Sequence, residues 1–414
     1  VRNITSKSLT LIVSCIVGFA ACNDSSDGPA AGASAGGSGS SFGGASAGAS
    51  ATRPVSVGGS AVVTSGVTTT PAVGTGGQNG TTTPILGTGG QSGPTTTTSV
   101  VTPSTGGTTA SSTTGSTPTP TAKFVGNITT RNSLDTNGLT YSKYWNQVTP
   151  ENAGKWGSVQ SSSTSAYNWN TLDAIYDYAT KNNILFKHHV FVWGSQQPSD
   201  ASSITEAKVK DWMTQFCKRY PKTALIDVVN EPPPHTTPAY AGNIGGGTDG
   251  DWKWIINAFK WAREACPTQI LILNDYNNIE WDTDANHFID IVKKVKAGGA
   301  PIDAVGCQAH DLDHSGVTAD GAKKKLAALN SQTGLPVYIT EFDISTKDDA
   351  SQLDLYKSYI PFFLETDYIK GVTIWGWIVG ATWDQAPDSG LVTSDGKSRP
   401  AMKWLMDTLG RSAP

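Results

Sequence analysis

Beyond residue 122 the chain repeats one pattern eight times: a short apolar run rich in β-branched residues, with helical spacing of apolar positions between most of the runs. The runs are Phe124–Ile128, Tyr144–Val148, Ile184–Trp193, Leu225–Asn230, Ile270–Asn274, Ile302–Gln308, Val337–Thr340 and Val372–Trp375. Helical patterns cover Thr171–Thr180, Ile204–Arg219, Trp252–Ala265, Asp284–Lys296, Ala322–Leu329 and Gln352–Glu365. Runs this short and this apolar suit strands buried on both faces, and the alternation predicts a parallel (β/α)8 TIM barrel. A doubly wound open sheet is the competing arrangement, but no Gly-rich phosphate loop follows the first run.

Composition sets the boundary of that domain at 123–414. Between residues 23 and 122 the chain is mostly Gly, Ser, Thr, Ala and Pro, and all 13 Trp, 12 Tyr and 6 His lie after it. Such a stretch buries too little apolar surface to offset its ordering entropy, so a long disordered, low-complexity linker is expected. Its weak repeat, Gly74–Gln78 recurring as Gly87–Gln91, fits that reading. Residues 1–22 read as a signal peptide: Arg2 and Lys7, an apolar stretch from Leu9 to Phe19, then Ala20, Ala21 and Cys22. The stretch is short for a membrane span, and Cys22 behind it resembles a bacterial lipoprotein signal, preferred here over plain secretion with Cys22 incidental. An exported, secreted or cell-surface protein follows, touching membrane only through a lipid at Cys22. A net charge of −4 and a pI near 5.9 argue against a nucleic-acid partner. Export permits a disulfide. Cys217 and Cys266 each sit near the end of a helical pattern, so that pair is favoured over three free thiols, with Cys307 a small core residue.

Two of the apolar runs close on a carboxylate. Ala224 leads to Glu231 and Leu335 to Glu341, at the ends of the fourth and seventh predicted strands. Strand ends open into the mouth of a parallel barrel, and two carboxylates there can act as acid and nucleophile on one bond. Either glutamate alone is as well explained by a neighbouring arginine or water; the pair is not. Other strand ends carry Asn152 and Lys155, Trp193, Tyr276, Gln308 and His310, and Trp375. Hydroxyl-bonding groups beside aromatic rings form a surface suited to sugars.

At these residues the chain resembles glycoside hydrolase family 10, the retaining endo-β-1,4-xylanases. The resemblance runs through Val148–Trp156, His189–Gln196, Asp227–Glu231, Asn274–Asn277, Gly306–His310, Ile339–Asp343, and Trp375–Gly376 with Trp383, in order along nearly the whole domain. It implies that Glu231 is general acid and then base and Glu341 the nucleophile, with Glu341 ionised while Glu231 keeps its proton. It further implies that Glu151, Asn152 and Lys155, with His189, Trp193 and Gln196, bind sugars on the non-reducing side. Asn230 would hold the 2-hydroxyl of the reacting sugar. His310 and Asp343 would orient Glu341, and Gln308 would contact Glu231. Tyr276 would serve the leaving-group side, and Trp375 and Trp383 would wall the reacting sugar. Retention would place the two carboxyl groups roughly 5–5.5 Å apart. The scheme requires no metal or cofactor; its partners are xylan and xylo-oligosaccharides, and a monomer is expected.

The chain departs from the family pattern at Gly194, where histidine is common, and at Gly154, where a bulkier residue is usual. Both are read as missing side chains beside the glycone sites. Pro232–Pro234 opens a long Gly-rich loop, and Trp377–Gly380 lacks the usual charges. A β-1,4-glucanase, or a mixed xylanase and glucanase, is the alternative those glycines leave open, since they would relax the barrier to a hydroxymethyl group. A non-catalytic polysaccharide-binding barrel is the other, against which both glutamates, Asn230 and His310 argue. Among lesser residues, His188 is read as a barrel histidine. The spacing of His310 and His314 is read as a solvated loop in preference to zinc, and Trp254 and Trp261 as core.

Overall fold

The computed structural model describes residues 122–246 and 250–414. The expected leader, all but the last residue of the expected linker, and part of the Gly-rich stretch after Gly246 lie outside the described residues. Eight parallel strands close a barrel in chain order: β1 Phe124–Ile128, β2 Gln147–Thr149, β3 Leu185–Val192, β4 Leu225–Asn230, β5 Ile270–Asp275, β6 Ala304–Cys307, β7 Val337–Phe342 and β8 Ile369–Ile374. Around them run α1 Trp156–Val159, α2 Asn170–Lys181, α3 Glu206–Arg219, α4 Lys253–Ala265, α5 Asp282–Ala297, α6 Ala319–Thr333, α7 Asp349–Glu365 and α8 Pro400–Thr408.

The barrel predicted from the rhythm is the barrel observed, with local corrections, among them an eighth strand that starts at Ile369 and a short helix α1 that was not expected. The second strand starts later than expected, because Tyr141–Lys143 form a 3-10 turn and Tyr144 ends it. Helix α4 begins at Lys253, since Trp252 sits before it in the left-handed region (φ 47°). Helix α8 was not anticipated: it is short, yet Pro400 at its start and buried Ala401, Met402, Leu405 and Met406 fix its ends and its inner face.

Bulges in β4 and β7 set which side chains face inward beside the two glutamates. A strand's side chains alternate, but in β4 the register slips between Asp227 and Val229. Leu225 packs inside the barrel, whereas Ile226, Val228 and Val229 all join the outer layer. The slip turns Asn230 inward after Asp227. In β7 a second slip lies between Ile339 and Phe342. Thr340 and Glu341 both address Asn274 across the barrel, while Phe342 returns to the outer layer. The interior is apolar near the strand starts, with Phe124, Ala224, Leu225, Ile272, Ala304 and Tyr338 in one cluster. Towards the strand ends it becomes polar.

Outside the barrel, Trp212 of α3 lies flat between Trp156 and Trp169, with ring centroids 5.6 and 5.5 Å away. This stack pins the segment after β2 against α3. Cys217 of α3 is disulfide-bonded to Cys266 at the end of α4, with Cα atoms 5.6 Å apart and a separation of 49 positions in sequence, while Cys307 is a buried free thiol. Closing a loop of that length restricts the unfolded chain, so replacing both cysteines by serine is expected to cost about 2–4 kcal/mol. Denaturant midpoints of parent and variant check this, and equal midpoints would mean that the bridge contributes nothing. No helix among the described residues is long and apolar enough to cross a membrane.

Candidate active site

Glu231 stands one residue past β4 in the left-handed region (φ 51°), an uncommon place for a residue with a side chain. The turn that holds it is clamped: its amide donates to Asn274 O (2.9 Å), and its carbonyl accepts from Thr236 N (3.0 Å) and Thr236 Oγ1 (2.8 Å). Its carboxylate accepts from Trp193 Nε1 (2.7 Å) and Gln308 Nε2 (3.0 Å). Glu341 lies within β7, one residue short of the strand end expected for it, and is buried. It accepts from Asn274 Nδ2 (2.7 Å) and pairs with His310 Nε2 (3.3 Å).

The two carboxylates are joined by an unbroken row of amides across the barrel mouth. Gln308 Nε2 bonds Glu231 and Asn230 Oδ1 (3.2 Å), and Asn274 Nδ2 bonds Asn230 Oδ1 (2.8 Å) and Glu341. Asn274 approaches β6 so closely that a Cβ at Gly306 would lie 2.1 Å from its Oδ1. Only glycine there leaves room for the bridge.

The surroundings of Glu341 favour its ionised form. Burial alone would raise the Glu341 carboxyl, but the His310 hydrogen bond and the positive charges of His189, His310 and Lys187 bring it down to about 2. His310 bonds Asp343 through Nδ1 (3.0 Å), and Trp383 Nε1 donates to the other oxygen of Asp343 (2.7 Å). Burial disfavours the imidazolium, yet Asp343 and Glu341 together hold His310 well above its ordinary value. Beneath the site, Asp227 Oδ2 pairs with Lys187 and with His189 Nδ1 (2.9 Å), all three buried.

A second cluster opens to solvent beside the first. Lys155 donates to Asn152 Oδ1 (2.8 Å) and lies 4.9 Å from the Trp193 ring, and Gln196 Nε2 reaches Asn152 Oδ1 (3.2 Å). Burial lowers Lys155, partly opposed by Glu341, Glu151 and Glu231. Glu151 is raised by its own burial, with Lys155 opposing. Trp375 follows β8 and meets the His189 ring at 5.5 Å and the His310 ring at 6.2 Å. Trp383 lies 4.5 Å from His310. Tyr276 stands beyond β5 with its ring on His235 at 3.8 Å.

The expectation that Gly154 and Gly194 leave space beside the glycone sites is corrected. A Cβ at Gly194 would meet Thr236 Cβ at 2.6 Å, and one at Gly154 would meet the His189 carbonyl oxygen at 2.6 Å. The turn after Glu231 fills the first gap and β3 the second. The uncharged Trp377 is core, packed against Tyr141, Tyr144 and Trp145. His188 is buried with its ring 3.8 Å from Phe216 of α3, and His314 is exposed beside Asp313. No cluster of three or more His, Cys, Asp or Glu among the described residues is arranged to hold a metal.

Sequence reasoning gave no role to Asp227 and Asn274, though both stand in motifs it singled out, and passed over Lys187 and His235. The first three carry a usable sign, a polar residue inside an otherwise apolar strand, which must find a partner when buried. His235, after three prolines, carries none.

A closed parallel barrel with two carboxylates at its strand ends, one held ionised and both fixed by amide donors, is the site of a glycoside hydrolase. A family model, "Glycosyl hydrolase family 10", matches residues 118–408, and the chain belongs to that family. It is 44% identical over 290 residues to "Endo-1,4-beta-xylanase B" of Cellvibrio japonicus (strain Ueda107), a match covering 69% of this chain and 45% of that protein. The chain thus spans less than half the length of that relative. Among solved structures it resembles "CbXyn10B in native form" and a mutant structure in complex with xylotriose. Each is 26% identical with a TM-score of 0.61, and each match covers 69% of this chain and 96% of the other.

Proposed function

We propose that the barrel domain is an endo-acting, retaining β-1,4-xylanase that cleaves internal xylosidic bonds of xylan by double displacement. The observation that carries the reading is the row Glu231, Gln308, Asn230, Asn274, Glu341, in which side-chain amides link the two carboxylates. Glu341, ionised, attacks the anomeric carbon as Glu231 gives its proton to the departing oxygen. The bond to the leaving sugar breaks and an ester to Glu341 forms. Glu231, now a carboxylate, takes a proton from water; the hydroxide oxygen displaces Glu341, and one water is consumed per bond cleaved. Asn230, fixed by Gln308 and Asn274, is placed to hold the 2-hydroxyl as the oxocarbenium ion develops.

Xylose over glucose is supported by the closed glycines. Thr236 and the His189 carbonyl occupy the space a side chain would take at each glycine, so neither glycine widens the cleft in the way the glucanase alternative requires. Glu151, Asn152, Lys155 and Gln196 serve the non-reducing side, and Tyr276 the leaving-group side. The protein is further proposed to be exported as a monomer. Cys22 would take a lipid, and residues 23–122 would tether the barrel away from that anchor.

Product analysis on xylan, arabinoxylan and carboxymethylcellulose tests the substrate, with proton NMR of the first product testing the stereochemistry. Internal cleavage of xylan with the β-anomer released first is expected. Equal cleavage of carboxymethylcellulose would overturn the substrate, and initial release of the α-anomer would overturn the mechanism.

A further inference from the structure

We propose that His235 is a positioning residue for the leaving-group side of the cleft, acting through Tyr276, whose ring it backs. The inference rests on the xylanase reading, in which Tyr276 carries the departing sugar. His235 lies four residues after Glu231 in the turn leaving β4, and Tyr276 just beyond β5. Their rings stack with centroids 3.8 Å apart and planes 16° from parallel. The histidine cannot swivel: its Nδ1 is 2.7 Å from Asp275 Oδ1 and its Nε2 is 3.4 Å from Asp284 Oδ1.

One atom ties the arrangement together. Asp275 Oδ1 takes the His235 imidazole and also the backbone amide of Tyr276 (3.0 Å). The tyrosine's main chain and the plate beneath its ring are therefore fixed from a single buried carboxylate. Two ring nitrogens facing two carboxylates can both be satisfied only when both carry protons, and a cation lying on a tyrosine face is attractive. Burial opposes the charge, but Asp275 and Asp284 outweigh it and hold His235 above its ordinary value. With His235 stacked on it, the tyrosine ring has its angle set before substrate arrives. That saves the ordering cost a free aromatic side chain would incur on binding.

The same contacts fasten the acid/base turn to the next strand. His235 N bonds Pro232 O (3.2 Å), and His287 Nε2 of α5 bonds Pro233 O (3.0 Å). A purely structural role for His235 would therefore act on Glu231 and on every substrate. A role through Tyr276 would act only where a sugar lies on that ring.

A double-mutant cycle on the full chain separates the two. His235→Ala is expected to raise KM for xylohexaose roughly 5–30-fold while kcat changes much less, as for loss of one aromatic platform. In the Tyr276→Ala background the same substitution should add less than about twofold. The loss on an aryl β-xylobioside, whose leaving group is not a sugar, should be several times smaller than on xylohexaose. If His235→Ala does not fold, the cycle is run with His235→Gln, which restores a donor but no ring. Additive effects of the two substitutions, or equal losses on both substrates, would overturn the proposal. A parent protein inert on xylohexaose would instead overturn the reading beneath it.

Discussion

Glu341→Ala is expected to lose xylan hydrolysis by roughly 10⁵-fold or more in kcat, the scale seen when a covalent nucleophile is removed. The fold should survive, because Asn274 retains Asn230 and Thr340 as partners and His310 retains Asp343. Substantial residual activity in a clean preparation would sink the assignment. A sharper readout uses an aryl xylobioside with added azide. The gap left by the carboxylate admits the anion to the same face of the sugar, and the product should be an α-glycosyl azide formed by a single inversion. Hydrolysis in the parent should also persist into acid. Glu341 is brought down to about 2 from an ordinary 4.5, so it stays ionised as pH falls through the usual carboxylate range. The acid limb of kcat/KM is therefore expected below 4.5 in the parent, and His310→Gln, which removes one of the groups lowering it, should move that limb upward. A limb that does not move would show that His310 leaves the charge of Glu341 unaltered.

What could be read from the chain and what could not divide along a physical line. Strands of a parallel barrel are apolar on both faces, so their runs stand out whatever they pack against. Both glutamates were visible for the same reason, as charges at the close of such runs. The disulfide was foreshadowed by two helix ends that neighbouring positions on a barrel bring together. By contrast, the bulges that turn Asn230 and Glu341 inward leave no local mark, because strict alternation would have sent one residue of each pair outward. Asn274 sits in an evident motif, yet its work is to bridge Asn230 and Glu341, 44 and 67 residues away in sequence. The glycines misled in a definite way. A missing side chain at Gly194 reads as a hole, but only the path of the turn through Thr236 shows that the hole is filled. Gaps in a sequence are local; what fills them is not.

Glu231→Ala should separate substrates by leaving group. A departing sugar needs its oxygen protonated, so xylan hydrolysis is expected to fall by roughly 10²–10⁴-fold. An aryl xylobioside with a good leaving group needs no such help in the first step, and its ester to Glu341 should form at close to the parental rate. Water attack then lacks its base. The ester should accumulate, giving a burst of released phenol, a lowered KM and an intermediate visible by mass spectrometry of the intact protein. Alanine is the better probe than glutamine here. Both carboxylate oxygens of Glu231 face N–H donors, Trp193 Nε1 at 2.7 Å and Gln308 Nε2 at 3.0 Å, and a glutamine amide would turn its own N–H₂ against one of them. Azide should rescue the second step without needing a base, and two successive inversions give a β-glycosyl azide, the opposite anomer from that expected of Glu341→Ala. Equal losses on xylan and on the aryl glycoside, or the α-azide from this variant, would mean that the roles of the two glutamates have been exchanged.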